Sequence, residues 1–139
     1  MILKLTNKDA NFYNYMGKFF GSRIIQTETK DRIYDDNNKL WYICIGLDNK
    51  PYGFVSIVNN VIKNIYSSNE AYLKELLEQL LVDINISPSI VTKLYENLYA
   101  ECGLEIRHLD NYKHFVEIRG GKKVERHWVS SFECKNGWY

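Results

Sequence analysis

Cysteine is scarce in this chain of 139 residues, and no cysteines or histidines stand at the close spacing that zinc sites require. The six residues concerned are Cys44, Cys102, Cys134, His108, His114 and His127. An odd number of widely spaced cysteines is atypical of a disulfide framework, so we expect neither disulfides nor a structural metal. Unpaired cysteines are typical of a reducing cytoplasm, which is the compartment we expect.

Long apolar runs and an excess of one charge are also missing. No apolar stretch approaches the roughly 20 residues that span a bilayer, and residues 1–7 turn polar too early for a signal peptide. Lysine and arginine number 18 against 17 aspartate and glutamate residues, a formal net charge of +1. The composition therefore indicates no membrane association and no strong attraction to nucleic acid.

Apolar and aromatic residues, in contrast, are plentiful. The chain is 45% hydrophobic and 14% aromatic, which suffices for a packed core, and its length suits one domain. Regular patterning ends near residue 119, so we predict one domain over residues 1–119. Residues 120–139 form a predicted extension that packs on the domain or on a partner.

Periodicity predicts the order of the elements. Alternating or β-rich runs predict strands at 1–5, 40–47, 52–58, 61–66, 82–86, 105–108 and 114–118. Apolar residues at helical spacing predict three helices. The first begins at the capping-box-like Thr6–Asp9 and runs to Gly21, the second follows Ser67–Glu70, and the third opens at 87–89 and ends at Gly103. Residues 22–39 show no clear pattern.

Two segments carry a resemblance to a known family. The hairpin Trp41–Ile57 is similar to a turn followed by a "V-G-F-hydrophobic" strand, and Leu98–Leu104 is similar to "L-Y-x-x-x-G-F", with Leu104 in place of Phe. In order and spacing the chain resembles the Gcn5-related N-acetyltransferase (GNAT) family over residues 1–119. The resemblance implies an α/β (α+β) fold, with a central mixed, mostly antiparallel sheet flanked by helices.

The resemblance implies a site for acetyl-CoA where the fourth and fifth strands, here 61–66 and 82–86, part. The family holds the pyrophosphate on helix-start N–H groups through Arg/Gln-x-x-Gly-x-Gly/Ala, but this chain has a shorter turn without glycine. The cofactor-binding residues it implies are Ile65, Tyr66, Ser67, Ser68, Asn69 and Thr92, the last in place of a family Asn. The alternative is that Ser67, Ser68 and Asn69 only cap a helix. Glu70 places a negative charge in the first turn of that helix, which would repel a phosphate.

Tyr99 is the catalytic residue that the resemblance implies, as the acid that protonates the departing thiolate. The alternative is a tyrosine that only packs in the core. Candidates for the base are Asp83 and the acidic residues of the poorly patterned segment, which are Glu28, Asp31, Asp35 and Asp36. The alternative for these carboxylates is a solvated surface. Cys44 and Cys102 are expected to be buried and inert.

Two functions remain open at this stage. The first is an acyltransferase that moves an acetyl group from acetyl-CoA to an amine of a small molecule or a protein. The second is a non-catalytic GNAT-like binding module, of the kind a phage or mobile element would encode, that contacts a protein or nucleic acid. A nucleic acid is the less favoured partner, and the residues that would contact it are Lys122, Lys123, Arg126, His127 and Trp128. Aromatic residues of the extension leave an oligomer open.

Overall fold

The structure is a computed structural model that describes residues 1–120. Its strands are β1 (Ile2–Leu5), β2 (Leu40–Ile45), β3 (Pro51–Val58), β4 (Val61–Ser67), β5 (Ser89–Thr92), β6 (Glu105–His108) and β7 (Phe115–Arg119). Its helices are α1 (Phe12–Met16), α2 (Arg23–Thr29), α3 (Glu70–Asp83) and α4 (Glu96–Glu101), with a 3-10 turn at Lys93–Tyr95. The predicted packing of residues 121–139 lies outside the described residues. No helix within 1–120 is long and apolar enough to cross a membrane.

The first sheet is the antiparallel meander that the sequence predicts, in the order β1-β2-β3-β4. Two tight turns connect its last three strands. In the first turn the Asp48 carboxylate accepts the Lys50 N–H at 3.0 Å. Asn59 and Asn60 form the second turn with φ of 50° and 67°, which asparagine tolerates better than most residues. Turn chemistry therefore fixes the register of these strands.

The meander carries a separate apolar core on each face. On one face, Trp41, Ile43 and Phe54 pack against Phe12 and the other apolar residues of α1 and α2. On the other face, the strands pack against α3, which buries Leu73, Leu76, Leu77, Leu80 and Leu81 as its spacing predicts. The alternation of side chains along each strand separates the two cores.

The predictions for residues 82–95 are wrong. Val82 and Asp83 belong to α3 rather than to a strand, and residues 87–88 lead into β5, which begins at Ser89, rather than into a helix. Pro88 favours extended backbone in the residue before it, and the β-branched Ile90, Val91 and Thr92 suit a strand. The third helix is correspondingly short, although it ends as predicted at a glycine, Gly103, with φ of 83°.

The predicted first helix is also too long, because α1 ends at Met16 and Phe19 and Phe20 lie in turns. The unpatterned stretch after it contains α2, whose first turn Ser22 caps by accepting the Ile25 N–H. β5, β7 and β6 form a second antiparallel sheet in that order. Antiparallel sheets flanked by helices confirm the predicted fold class.

Strands β4 and β5 run in the same direction but belong to different sheets. At their first residues they touch, since the Ser87 N–H donates to the Asn60 carbonyl and the Ile62 N–H donates to the Ser89 hydroxyl, each at 2.8 Å. Beyond their last residues, the Tyr95 hydroxyl of the 3-10 turn after β5 hydrogen-bonds to the backbone of Ser67 at the end of β4. The region between these C-terminal ends, called the gap below, is where the resemblance implies a cofactor.

Candidate functional site

Tyr95 bridges the gap between the ends of β4 and β5. Its hydroxyl donates to the Ser67 carbonyl and accepts the Ser67 N–H, both at 3.1 Å. The ring is 5% exposed, and this burial raises the pKa of Tyr95 to about 12, so the phenol is protonated at neutral pH. Thr92 sets the 3-10 turn that carries Tyr95, because its hydroxyl accepts the Leu94 N–H at 3.2 Å.

The turn between β4 and α3 uses its N–H groups internally. Ser68 donates to the Tyr52 carbonyl at 2.9 Å, and Asn69 donates to the Ser67 hydroxyl at 3.2 Å. Ala71 donates to the side chain of Asn69 at 2.8 Å, which makes Asn69 the N-cap of α3. These are the groups that would have to turn toward a pyrophosphate, and they do not fit one in this arrangement.

The remaining predicted cofactor residues are Ile65 and Tyr66, on opposite faces of β4, and Thr92, at the end of β5. Ile65 is buried in the core beneath α3, whereas Tyr66 packs on Phe19 and Phe54 on the α1 and α2 side. Thr92 ends β5, and its hydroxyl donates to the Thr29 carbonyl at the end of α2 at 2.8 Å. The predicted residues therefore surround the gap, but most of them are engaged in contacts within the chain.

Gly53 explains how close the turn lies to β3. It pairs with Ser67, and a Cβ at this position would stand 2.7 Å from the Ser67 Cβ and 2.8 Å from the Tyr66 carbonyl oxygen. Gly53 is the glycine of the segment that resembles "V-G-F". Here it lets the chain cross tightly from β4 to α3.

Tyr99 lies one helical turn after Tyr95 and has no exposed surface. Its hydroxyl donates to the Thr92 carbonyl at 2.7 Å, and burial raises the pKa of Tyr99 well above its usual value. Its role as an acid stays a prediction. In this arrangement its proton is held by the backbone of β5, and Tyr95 is the phenol that lies in the gap.

Glu28 is the candidate base that shares a pocket with Thr92 at the end of β5. It is an exposed residue of α2. Burial is the main cause that raises the pKa of Tyr66 and of Tyr95, and the Glu28 carboxylate raises both further. Glu28 also lines the same surface pocket as Thr92 and Lys93, which places it beside the end of β5.

The other acidic candidates are held by contacts within the fold. Asp31 accepts the Asn64 amide at 3.1 Å, and burial raises the pKa of Asp31. Asp35 accepts the hydroxyl of Tyr13, and the Asp36 carboxylate accepts the Asn38 N–H at 3.2 Å. Asp83, at the end of α3 and not on a strand, binds the Lys4 ammonium at 2.6 Å.

Sequence reasoning missed Lys39, which lies in a polar stretch but is 3% exposed. Its ammonium donates to the Asn64 side chain at 2.9 Å and to the Tyr34 carbonyl at 3.0 Å, and it lies 3.9 Å from the centre of the Tyr34 ring. Asn64 joins it to Ser56 on β3 and to Asp31. These hydrogen bonds connect the segment 31–39, before β2, to strands β3 and β4. No local sequence pattern predicts that Lys39 is buried.

A pocket of about 330 Å³ opens between the end of α2, the 3-10 turn and the segment before β7. Thr92 lines it at the end of β5, and Glu28 lines it from α2. The lysines in its lining are Lys30, Lys93 and Lys113, and His114 lies beside them. A second pocket of about 330 Å³ lies beside α1, and four of its ten lining residues are the aromatic residues Tyr13, Phe19, Phe20 and Tyr34. The first of these pockets is the one that shares residues with the gap.

Comparison with known proteins identifies the fold. No family model matches the sequence, and no curated protein matches it closely. Among solved structures, a putative acyl-CoA N-acyltransferase from Klebsiella pneumoniae has a TM-score of 0.59 and 14% identity, over 86% of this chain and 95% of its own. A GNAT-family acetyltransferase from Staphylococcus aureus has a TM-score of 0.56 and 13% identity, over 88% and 100%.

A third structure is a chimeric spermidine N-acetyltransferase from Vibrio cholerae and hSSAT, with a TM-score of 0.51 and 10% identity, over 90% of this chain and 98% of its own. The likeness covers nearly the full length of each neighbour. The chain therefore has a GNAT-like fold, which confirms the predicted resemblance at the level of architecture.

Proposed function

We propose that this chain is a GNAT-fold binding module that does not take up acetyl-CoA. The observation that carries the proposal is the closed β4–α3 turn, in which Ser67, Ser68 and Asn69 all donate their N–H groups within the chain. A diphosphate would have to displace these acceptors. It would also meet the Glu70 carboxylate in the first turn of α3, where an anion is otherwise favoured.

Tyr95 supports the same proposal from the other side of the gap. A ligand that paired with the end of β4 would need the N–H and carbonyl of Ser67, and both are bonded to the Tyr95 hydroxyl. The ring occupies the space between the two strands and is almost fully buried. Binding would therefore require the ring to leave and a buried surface to open.

Calorimetric titration with acetyl-CoA tests the proposal. We expect no heat of binding at millimolar ligand and no rise in the melting temperature. The Tyr95→Ala variant serves as the matched comparison, because it removes the ring from the gap. A micromolar dissociation constant for the unaltered chain would refute the proposal.

Acetyl transfer from acetyl-CoA to an amine is the second candidate. It is supported by the likeness in fold to acyltransferases and by Glu28, a carboxylate that lines the pocket beside Thr92 and could accept a proton from an amine. Thiol release from acetyl-CoA with a panel of amines measures this activity. Under this candidate, Glu28→Gln lowers the rate by about 10²–10⁴-fold. Tyr99→Phe, which keeps the ring, tests the predicted acid.

The partner of the module is proposed to contact the extension, residues 120–139. Its basic and aromatic composition is the support for this role. Deletion of the chain beyond Arg119 is expected to abolish capture of the partner while the melting temperature of the domain stays unchanged. Retained capture would place the contact on the domain itself.

A further inference from the structure

The pocket between α2 and the 3-10 turn combines charges of both signs in one small volume. Lys30, Lys93 and Lys113 line it, and none of them forms an ion pair within the described residues. Glu28 contributes a carboxylate from α2. The other carboxylate of the lining, Glu96, is engaged by the side chain of His108. The lining therefore holds three ammonium groups and two carboxylates, of which Glu28 has no ion-pair partner within the described residues.

These charges come from three parts of the fold. Lys30 caps the C-terminus of α2 in the left-handed conformation with φ of 60°, two residues after Glu28 on the same helix. Lys93 begins the 3-10 turn, and its N–H donates to the His114 carbonyl at 2.9 Å, which joins this turn to the segment before β7 that carries Lys113. Glu28 therefore lies on α2 beside one lysine, and the other two lysines come from the adjoining turn and segment.

We infer that this pocket binds a small amine that carries an anionic group, such as an aminophosphate or an amino acid. The lysines attract the phosphate or carboxylate, since a lysine ammonium binds phosphate as a point charge. Glu28 accepts the ammonium of the same ligand. The volume of about 330 Å³ lies at the lower end of the range for small-molecule sites, which suits a compact ligand.

Charge complementarity also disfavours polyamines, which carry only positive charges. Three lysines repel a polyamine, so spermidine, the amine for which the third structural neighbour is named, is expected to bind poorly here. The inference concerns binding alone. It holds for a module without catalysis, and under the acetyl-transfer candidate it names the class of acceptor.

Titration of the isotope-labelled full-length chain with phosphoethanolamine, followed by amide chemical shifts at constant ionic strength, tests this inference. We expect shifts around Thr92, Lys93 and Lys113. Ethanolamine and inorganic phosphate each carry one of the two charges and are expected to bind at least about fivefold more weakly. Spermidine is expected to give no shifts in this region. Because no acetyl-CoA is present, the outcome is independent of whether the chain transfers acetyl groups.

Three variants separate the two charges. The double variant Lys93→Gln/Lys113→Gln is expected to weaken phosphoethanolamine binding by about five- to tenfold. Glu28→Gln is expected to weaken phosphoethanolamine binding but not phosphate binding, since loss of the carboxylate removes a repulsion of the anion. Lys8→Gln, an exposed lysine of the loop before α1, is the matched control and should have no effect. An absence of shifts, equal binding of spermidine, or an equal loss in the control would each overturn the inference.

Discussion

The two phenols of the site differ in what their hydroxyl groups hold, and substitution by phenylalanine measures this difference. Tyr99→Phe removes one buried hydrogen bond, from the Tyr99 hydroxyl to the Thr92 carbonyl at 2.7 Å. Tyr95→Phe removes two, because the Tyr95 hydroxyl both donates to and accepts from Ser67. Each substitution keeps the ring, so apolar packing changes little.

The expected losses follow from the groups that are left unpaired. Removing one partner from a buried polar group lowers stability by about 1–3 kcal/mol. Tyr99→Phe deprives one carbonyl of a donor, and we expect a loss of about 1 kcal/mol in the free energy of unfolding. Tyr95→Phe leaves both a buried N–H and a carbonyl of Ser67 unsatisfied, and we expect about 2–3 kcal/mol.

Urea denaturation of both variants checks these values, with m unchanged if only stability is altered. The melting temperature should fall by roughly 3–4 °C for each kcal/mol in a domain of this size. Tyr112→Phe is the control, since this tyrosine is 51% exposed and should change stability by less than about 0.5 kcal/mol. A loss for Tyr95→Phe no larger than for Tyr112→Phe would refute the bridge between β4 and the 3-10 turn.

Three further predictions concern the frame around the site. Asn64→Leu leaves the buried ammonium of Lys39 with one acceptor fewer and should destabilise by about 3 kcal/mol in urea; a loss below about 1 kcal/mol contradicts the network. Lys4 and other donors hold the pKa of Asp83 at about 2, so its stabilisation is complete above about pH 4 and is lost as pH falls through about 2. Asp83→Asn should flatten the acid unfolding curve there, and an unchanged curve would count against this role. Gly53→Ala introduces a Cβ against β4 and should lower the melting temperature by several degrees, equivalent to about 1–3 kcal/mol; an unchanged temperature rejects the tight crossing.

The meander and α3 could be predicted because their signals are long and of one period. β2 and β3 are β-rich on both sides of a turn with Asp48 and Asn49, and α3 repeats leucine at helical spacing over 14 residues. Local propensity, periodicity and turn chemistry agree in these segments, and such agreement makes a sequence specify one structure.

Residues 82–95 could not be assigned in the same way, because short segments carry ambiguous periods. Apolar and polar residues alternate over Val82–Ile86, a pattern typical of a strand. The same five residues also fit the end of a leucine-rich helix followed by extended chain. The four residues of β5 become a strand through tertiary contacts, including Ser89 with Ile62 on β4. The position of Tyr95 beside Ser67 depends on this strand, so the hydrogen bonds between them could not be predicted from the sequence.

Lys39 was missed for a related reason, since its burial depends on a partner 25 residues away, Asn64. A polar residue in a polar stretch is exposed on average, and only the fold reveals that an amide and an aromatic ring receive the ammonium. The acidic candidates Asp31 and Asp35 likewise find their partners in the fold. Their structural contacts have no local signal in the sequence, and a role for either as a base stays a prediction.

A sheet that parts between two parallel strands leaves backbone groups without a strand partner. At the end of β4 these groups are the N–H and carbonyl of Ser67, which need an acceptor and a donor at once. A phenol hydroxyl supplies both, and Tyr95 brings it from the turn after β5. The turn without glycine and Tyr95 have the same physical effect. The turn bonds the N–H groups of Ser68 and Asn69 within the chain, and Tyr95 bonds the N–H and carbonyl of Ser67. Backbone groups that could otherwise bind a ligand are therefore already paired.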